Sequence, residues 1–422
     1  VPEVYFYRVK KIWLISLSLI LSFGCAREQD NFTVRDLPVP TTAIKETPNW
    51  VLSPQKKLFL SWTEHEGDTS FALKYAVWQD SSWSTINTIA RGQDWFVNWA
   101  DFPSLAIFPG SELNLLAHYL KERAGGSTYD YDINLALSND GGQGFRLLDL
   151  VHDSTAAEHG FVSLLPFSYD KILATWLDGG QMIKSEGNEK NNHDHGSGSM
   201  QLRSALVHVT GQISNNTLLD DKVCECCQTD AAMTGKGPII VYRNRDEEEN
   251  RDIYYTRYIS GQWTIPKPVY EDLWKINGCP VNGPAIATFN NQVAVAWYTE
   301  AGGKPLVKLS ISKDAGESFG PPVVLSDNTL GRVDLVWLEG TRIVVSFLEK
   351  NQTTDYKTAT LKLVVLDLEG NMVMEKEIAE TSSKRKTGFP VLECLDHTLY
   401  LAYTRILDSV STDLSIKEIK LK

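Results

Sequence analysis

Beyond residue 23 the chain has no apolar run long enough to cross a bilayer as a helix, and no persuasive amphipathic helical pattern interrupts its β-like segments. Positive charge is also short. Lys and Arg number 41 against 53 Asp and Glu, giving a net charge of −12, so nucleic acid is an unsuitable partner. Cysteine is scarce and clustered: Cys25 stands alone, Cys224, Cys226, Cys227 and Cys279 fall in two short stretches, and Cys394 sits in an apolar run as a buried thiol. What is plentiful is apolar and aromatic surface. With 42% hydrophobic residues and 12 Trp in 422 residues, the chain can bury a large core, either as one big all-β domain or as two or three smaller ones.

The first residues read as a targeting segment. Arg8, Lys10 and Lys11 precede an apolar run over residues 12–23, too short for a comfortable membrane span but suited to a signal-peptide core. It ends in Leu21-Ser-Phe-Gly-Cys25, which resembles a bacterial lipoprotein cleavage site apart from the bulky Phe23. The expectation is a signal over 1–24, a lipidated Cys25, a polar proline-bearing tether over 25–48 and a folded domain over 49–422. This places the protein outside the cytoplasm, anchored in a bacterial cell envelope on the periplasmic or the surface side. A plain secretory signal cut nearby is the alternative.

From residue 49 onward the pattern is all-β. Pairs of apolar, β-branched or aromatic segments flank Gly, Pro, Asn or Asp turns at 50–62, 104–119, 161–176, 231–242, 285–297, 333–347 and 391–403. They recur at intervals of roughly 50–70 residues, a period that suits a propeller. A third strand comes after each pair and usually a fourth, which makes four-stranded blades. Seven blades are counted, or six if the first or last unit is partial. Residues 32–37 are available as the missing fourth strand of the last blade, which would close the ring. The second strand of each unit ends in Trp62, Tyr119, Trp176, Tyr242, Trp297, Phe347 or Tyr403, bulk suited to packing between adjacent sheets.

Two turns, Ser138-Asn-Asp140-Gly-Gly142-Gln-Gly-Phe145 and Ser312-Lys-Asp314-Ala-Gly316-Glu-Ser-Phe319, share the pattern Ser-x-Asp-x-Gly-x-x-Phe. They resemble the Asp-box, or BNR repeat, of the sialidase superfamily. The stretches Asn98-Trp-Ala-Asp-Phe-Pro, Glu158-His-Gly-Phe, Cys224-Glu-Cys-Cys-Gln-Thr and Gly278-Cys-Pro-Val-Asn-Gly-Pro are similar to an exported, sialidase-like envelope family with a Cys-x-Cys-Cys motif. The resemblance implies a propeller over nearly the whole mature chain. Fold alone does not confer the chemistry.

In a propeller the loops leading into the innermost strands converge at one mouth of the central channel. That geometry would gather Asp101, Glu158, His159, Gln228, Thr229, Asp230, Asn282, Arg332 and Asp334 as a site for a glycan or other small polar ligand. Asp101 before Phe-Pro and Asn282 before Gly-Pro are equally ordinary turn formers. Sialidase chemistry would need cations to clamp a carboxylate, for which Arg243, Arg245, Arg251 and Arg332 are present. It would also need a tyrosine nucleophile, Tyr403, and an acid/base, Asp101 or Glu158. The superfamily's early Arg-Ile-Pro motif is missing; Asp101-Phe-Pro103 stands nearest to it and has no arginine. Acidic neighbours at 246–249 and Asp252 are alternative partners for Arg243, Arg245 and Arg251.

Cys224, Cys226, Cys227 and Cys279 suit two disulfides in an exported protein, or a zinc or copper site with His159 nearby. A Gly-rich insertion carrying His193-Asp-His195 is a second candidate for copper. Two readings without hydrolysis remain: an envelope protein presenting a metal or redox site, and a scaffold in an envelope complex.

Overall fold

A computed structural model describes residues 1, 32–182, 198–351 and 357–421. Seven antiparallel sheets succeed one another along the chain, each with four strands or with a fifth short one at its outer edge. Their innermost strands are Lys45–Leu52, Ser104–Ile107, His159–Ser168, Asp230–Thr234, Ala285–Phe289, Thr329–Leu338 and Val391–Leu395, which define blades 1 to 7. The molecule is a seven-bladed β-propeller.

The ring closes through strand Phe32–Leu37, which pairs antiparallel with Thr412–Leu421, Phe32 opposite Leu421 and Leu37 opposite Ile416. The outer strand of blade 7 thus comes from the other end of the chain. This shortens the tether expected over 25–48, because the propeller begins at Phe32 rather than at residue 49. Thr412–Leu421 would otherwise offer an unpaired edge, and the earlier segment supplies the missing partner.

The second strand of each blade explains why the apolar runs are continuous. In strand Gln292–Thr299, Val293, Val295 and Trp297 pack between blades 4 and 5, while Ala294 and Ala296 pack between blades 5 and 6. In Arg342–Lys350, Ile343, Val345 and Phe347 face blade 5, and Val344 and Leu348 face blade 7. Side chains alternate with period two, and both faces are buried. Each of the seven junctions between blades carries its own apolar cluster, so the core is a ring of seven interfaces. Tyr403, expected as a nucleophile, is 3% exposed in the cluster between blades 6 and 7 and is a core aromatic.

The two Ser-x-Asp-x-Gly turns have matching bonding. Ser138 Oγ donates to Asp140 at 2.7 Å and accepts the Gly142 N–H at 2.9 Å; Ser312, Asp314 and Gly316 repeat both contacts at the same distances. Gly142 and Gly316 have φ of 83° and 76°, the left-handed region where a side chain is strained. Phe145 and Phe319 then lean edge-on against Tyr75 and Tyr255 of the preceding blades. Each turn links third and fourth strands, in blades 2 and 5, and ties its blade to a neighbour.

Candidate functional site: the central channel and its lead-in loops

A cavity of about 440 Å³ runs down the axis, lined by residues of the innermost strand of every blade. Gln228, Thr229, Asp230, Asp334 and Glu393 line it, together with Phe102 and Phe389, while the ring of Trp50 packs against Trp83 and Tyr400. No lysine, arginine or histidine lines it among the described residues.

Most of the candidate polar residues turn out to tie blades together. The inner strands of blades 1, 3 and 6 start with an irregular register and a non-glycine residue at positive φ: Thr47, Phe161 and Arg332. Such a bulge leaves its N–H out of the ladder. In each case a side chain from the preceding blade accepts it: Thr404 Oγ1 at 3.1 Å, Asp101 Oδ1 at 2.8 Å and Asn282 Oδ1 at 2.8 Å. Asp230 Oδ2 accepts the Ile286 N–H of blade 5 at 2.9 Å, and Asp334 Oδ2 accepts the Leu392 N–H of blade 7 at 2.6 Å. Gln228 donates to Ala100 O at 2.5 Å and accepts the Gly283 N–H at 2.9 Å, so one side chain joins the loops of blades 2, 4 and 5. Thr229 Oγ1 donates to Phe161 O at 2.8 Å. Convergence at one mouth is therefore as expected from the repeat. Much of the polar chemistry there satisfies backbone groups that the tight ring would otherwise orphan.

The carboxyls in the channel are unusual in lacking a countercharge. Burial pushes Asp230 up to about 6 and Glu393 up to about 7, against the pull of backbone N–H donors, and it raises Asp334 well above the usual carboxylate range. These groups touch the cavity yet are enclosed by protein on every other side. Asp230 and Glu393 therefore change protonation between weakly acid and neutral pH rather than in the usual carboxylate range.

Asp101 and Glu158 do meet, through a residue that sequence reasoning missed. Tyr131 Oη lies 3.0 Å from Asp101 and 2.9 Å from Glu158. A phenol has one proton, so two ionised carboxylates cannot both be satisfied by it. Burial holds Asp101 up to about 7, which lets its carboxyl donate to Tyr131 while Tyr131 donates to Glu158. Tyr131 is 0% exposed and stacks on Phe96 at 4.1 Å, closed off from any ligand. Its position at the start of a third strand gave no signal beyond that of a core aromatic.

His159 is also buried, between blades 2 and 3. Its Nε2–H donates to Thr155 O at 3.1 Å, Nδ1 lies 3.6 Å from Asp178, and the ring stacks on His152 at 3.8 Å. It is held there rather than beside the cysteines or in the channel.

The arginines do not form a clamp. Arg243 is 1% exposed and donates to the carbonyls of Arg251, Asn282 and Tyr298, with its guanidinium 5.0 Å from the Trp274 ring. Arg332 donates to Lys384 O and Gly388 O and lies over Trp99. Arg245 and Arg251 share Glu225 and Glu249. All four are absent from the channel wall, because each guanidinium is occupied by groups of its own or the next blade.

The four clustered cysteines come together between the lead-in loops of blades 4 and 5. Cys224 and Cys227 sulfurs are 3.6 Å apart, Cys226 lies within 4.8 Å of both, and Cys279 contacts Cys226. Among the described residues no Sγ–Sγ pair is at bonding length, so the two expected disulfides are not formed here. His193, His195 and Cys25 lie outside the described residues.

No protein-family model matches the chain, and no curated protein matches it in sequence. Among solved structures it is similar to a protein of unknown function from Dyadobacter fermentans, with 11% identity, 92% of this chain and 99% of the other covered, and a TM-score of 0.51. An ulvan lyase of a polysaccharide lyase family shows 11% identity, 78% and 80% coverage and a TM-score of 0.49. The NanB sialidase from Streptococcus pneumoniae shows 12% identity, 91% and 70% coverage and a TM-score of 0.47. At such identities the likeness is one of fold, and what the channel does has to be argued from its own groups.

Proposed function

We propose that the protein is a non-hydrolytic binding propeller that takes an uncharged, hydroxyl-rich ligand, a neutral glycan, into the central channel. The observation that carries this reading is the wall of Asp230, Asp334 and Glu393, set among Phe102 and Phe389 with no cation facing them. Carboxyls and aromatic faces suit sugar hydroxyls and the apolar faces of sugar rings. With no cation in the wall an acidic sugar finds no countercharge there, and where the carboxyls are ionised it meets like charge in an enclosed space. The parts that sialidase chemistry requires are dispersed: Tyr403 is in the core, the arginines are tied up, and Tyr131 is sealed. The leader pattern ending at Cys25 supports an exported, lipid-anchored setting in a bacterial envelope, where such a propeller would meet glycans or partner proteins.

Isothermal titration with neutral and sialylated oligosaccharides of equal length tests the reading. Neutral sugars are expected to bind and Asp334→Asn to weaken them by roughly 10-fold, the worth of one hydrogen bond to a carboxyl. Release of sialic acid from a fluorogenic sialoside, or a preference for the acidic sugar, would overturn it.

A further inference from the structure

We propose that Cys224, Cys226 and Cys227, with Cys279 beside them, bind a thiophilic closed-shell metal ion, zinc(II) or copper(I), through deprotonated sulfurs. This goes beyond channel binding and does not depend on it.

The spacing of the sulfurs matches a shared ion. Sulfurs bonded to one ion at about 2.3 Å stand roughly 3.8–4.0 Å apart in tetrahedral or trigonal arrangement. Cys224 and Cys227 are 3.6 Å apart, and all three sulfurs of the Cys-x-Cys-Cys turn fall within 4.8 Å of one another. Two disulfides would use all four sulfurs but would need each pair at about 2.05 Å, whereas Cys224 and Cys227 stand 3.6 Å apart. Three converging sulfurs with a fourth alongside make a ligand set. Thiolates of this kind select copper(I) and zinc over harder ions.

A cation stands directly against the cluster. Arg251 Nη1 lies 3.2 Å from Cys224 Sγ, and its buried Nε has no acceptor. A cation in such contact stabilises a thiolate far more than the neutral sulfur of a disulfide. The turn itself is fixed from outside. The Cys224 N–H donates to Arg243 O at 3.0 Å, and Glu225, 1% exposed, is gripped by Arg245 and Arg251.

An ion can also reach the cluster. Cys224 and Cys227 are buried, but Cys226 and Cys279 are part-exposed, which leaves a path from solvent. On binding, each ligating thiol gives its proton to solvent as the sulfur–metal bond forms. No electron changes hands. The ion would clasp two neighbouring lead-in loops beside Gln228 and Gly283 at the channel wall.

The test uses the full chain, reduced and kept free of oxygen, with cobalt(II), zinc(II) and copper(I) as separate probes. Cobalt(II) is expected to give an intense sulfur-to-metal charge-transfer band that zinc(II) abolishes. Whichever of zinc and copper remains in stoichiometric amount after dialysis identifies the native preference. Cys226→Ser is expected to lose the band and Cys394→Ser to keep it. Because a substitution at Cys226 can also disturb folding, alkylation of the unmutated protein serves as the second readout. The clustered thiols should be protected when loaded and released by chelator without reductant. Absence of a band and of retained metal, or thiols that become alkylatable only after reductant, would overturn the proposal.

Discussion

Asp230 and Glu393 hold their protons at a pH where an ordinary carboxyl has lost them, because the ring encloses them without a cation. The consequence for stability has a definite sign. Between the ordinary carboxylate value near 4 and their folded values of about 6 and 7, the folded chain binds more protons than the unfolded one. Stability from these groups is therefore fully present at the acid end of that window and is lost as pH rises through it. Urea midpoints should be lower at about pH 8 than at about pH 5, and the double variant Asp230→Asn, Glu393→Gln should flatten the difference. A midpoint that rises over this range would contradict the enclosure. Asp230 was legible in the sequence as a polar residue at the head of an inner strand, whereas Glu393, in the middle of strand Val391–Leu395, was not singled out. The roles of such polar residues were not legible, because the partner of Asp230 is the backbone of Ile286 and that of Asp101 is the backbone of Phe161, each more than fifty residues on. Side chain to backbone contacts across such distances leave no local trace, and a blade tie and a ligand contact call for the same residue types.

At the scale of the element, the serine–aspartate turns are the clearest case of a motif doing what its chemistry requires. Asp314 Oδ1 accepts the N–H groups of Glu317 and Ser318 at 2.9 and 3.0 Å, and Oδ2 accepts the Ser318 hydroxyl at 2.6 Å. Asp314→Ala removes all of these from one turn and should lower stability by about 1–2 kcal/mol, read as a shift in urea midpoint with an unchanged denaturant slope. A loss no larger than that of a surface control such as Lys313→Ala would show the turn to be held by its glycine and aromatic alone. The long second strands were legible because both their faces are buried and the apolar run is unbroken. The outer strands were less so: Arg146–Leu147 is two residues long, with both side chains exposed, and no periodicity fits in so short a piece.

For the whole molecule, closure and the contents of the channel matter most. Strand Phe32–Leu37 completes blade 7, and Pro38 O accepts the Trp83 indole N–H of blade 1 at 2.7 Å. Deleting residues 1–38 should cost on the order of several kcal/mol by loss of the ladder and bare the edge of Thr412–Leu421, seen as a lower unfolding temperature and as self-association. The count of seven and this closure could be read from the repeat, because blade geometry follows from local strand pairs. The emptiness of the arginine clamp could not, since Arg243 and Arg332 are captured by carbonyls of loops that only the closed ring brings near. Above all, the channel is taken to be a receptor for an uncharged, hydroxyl-rich ligand. Crystals soaked with a neutral oligosaccharide test this most directly: sugar density against Asp230, Asp334 and Glu393 is the predicted result, and density confined to the outer surface, or a sialic acid bound in the channel, would contradict it.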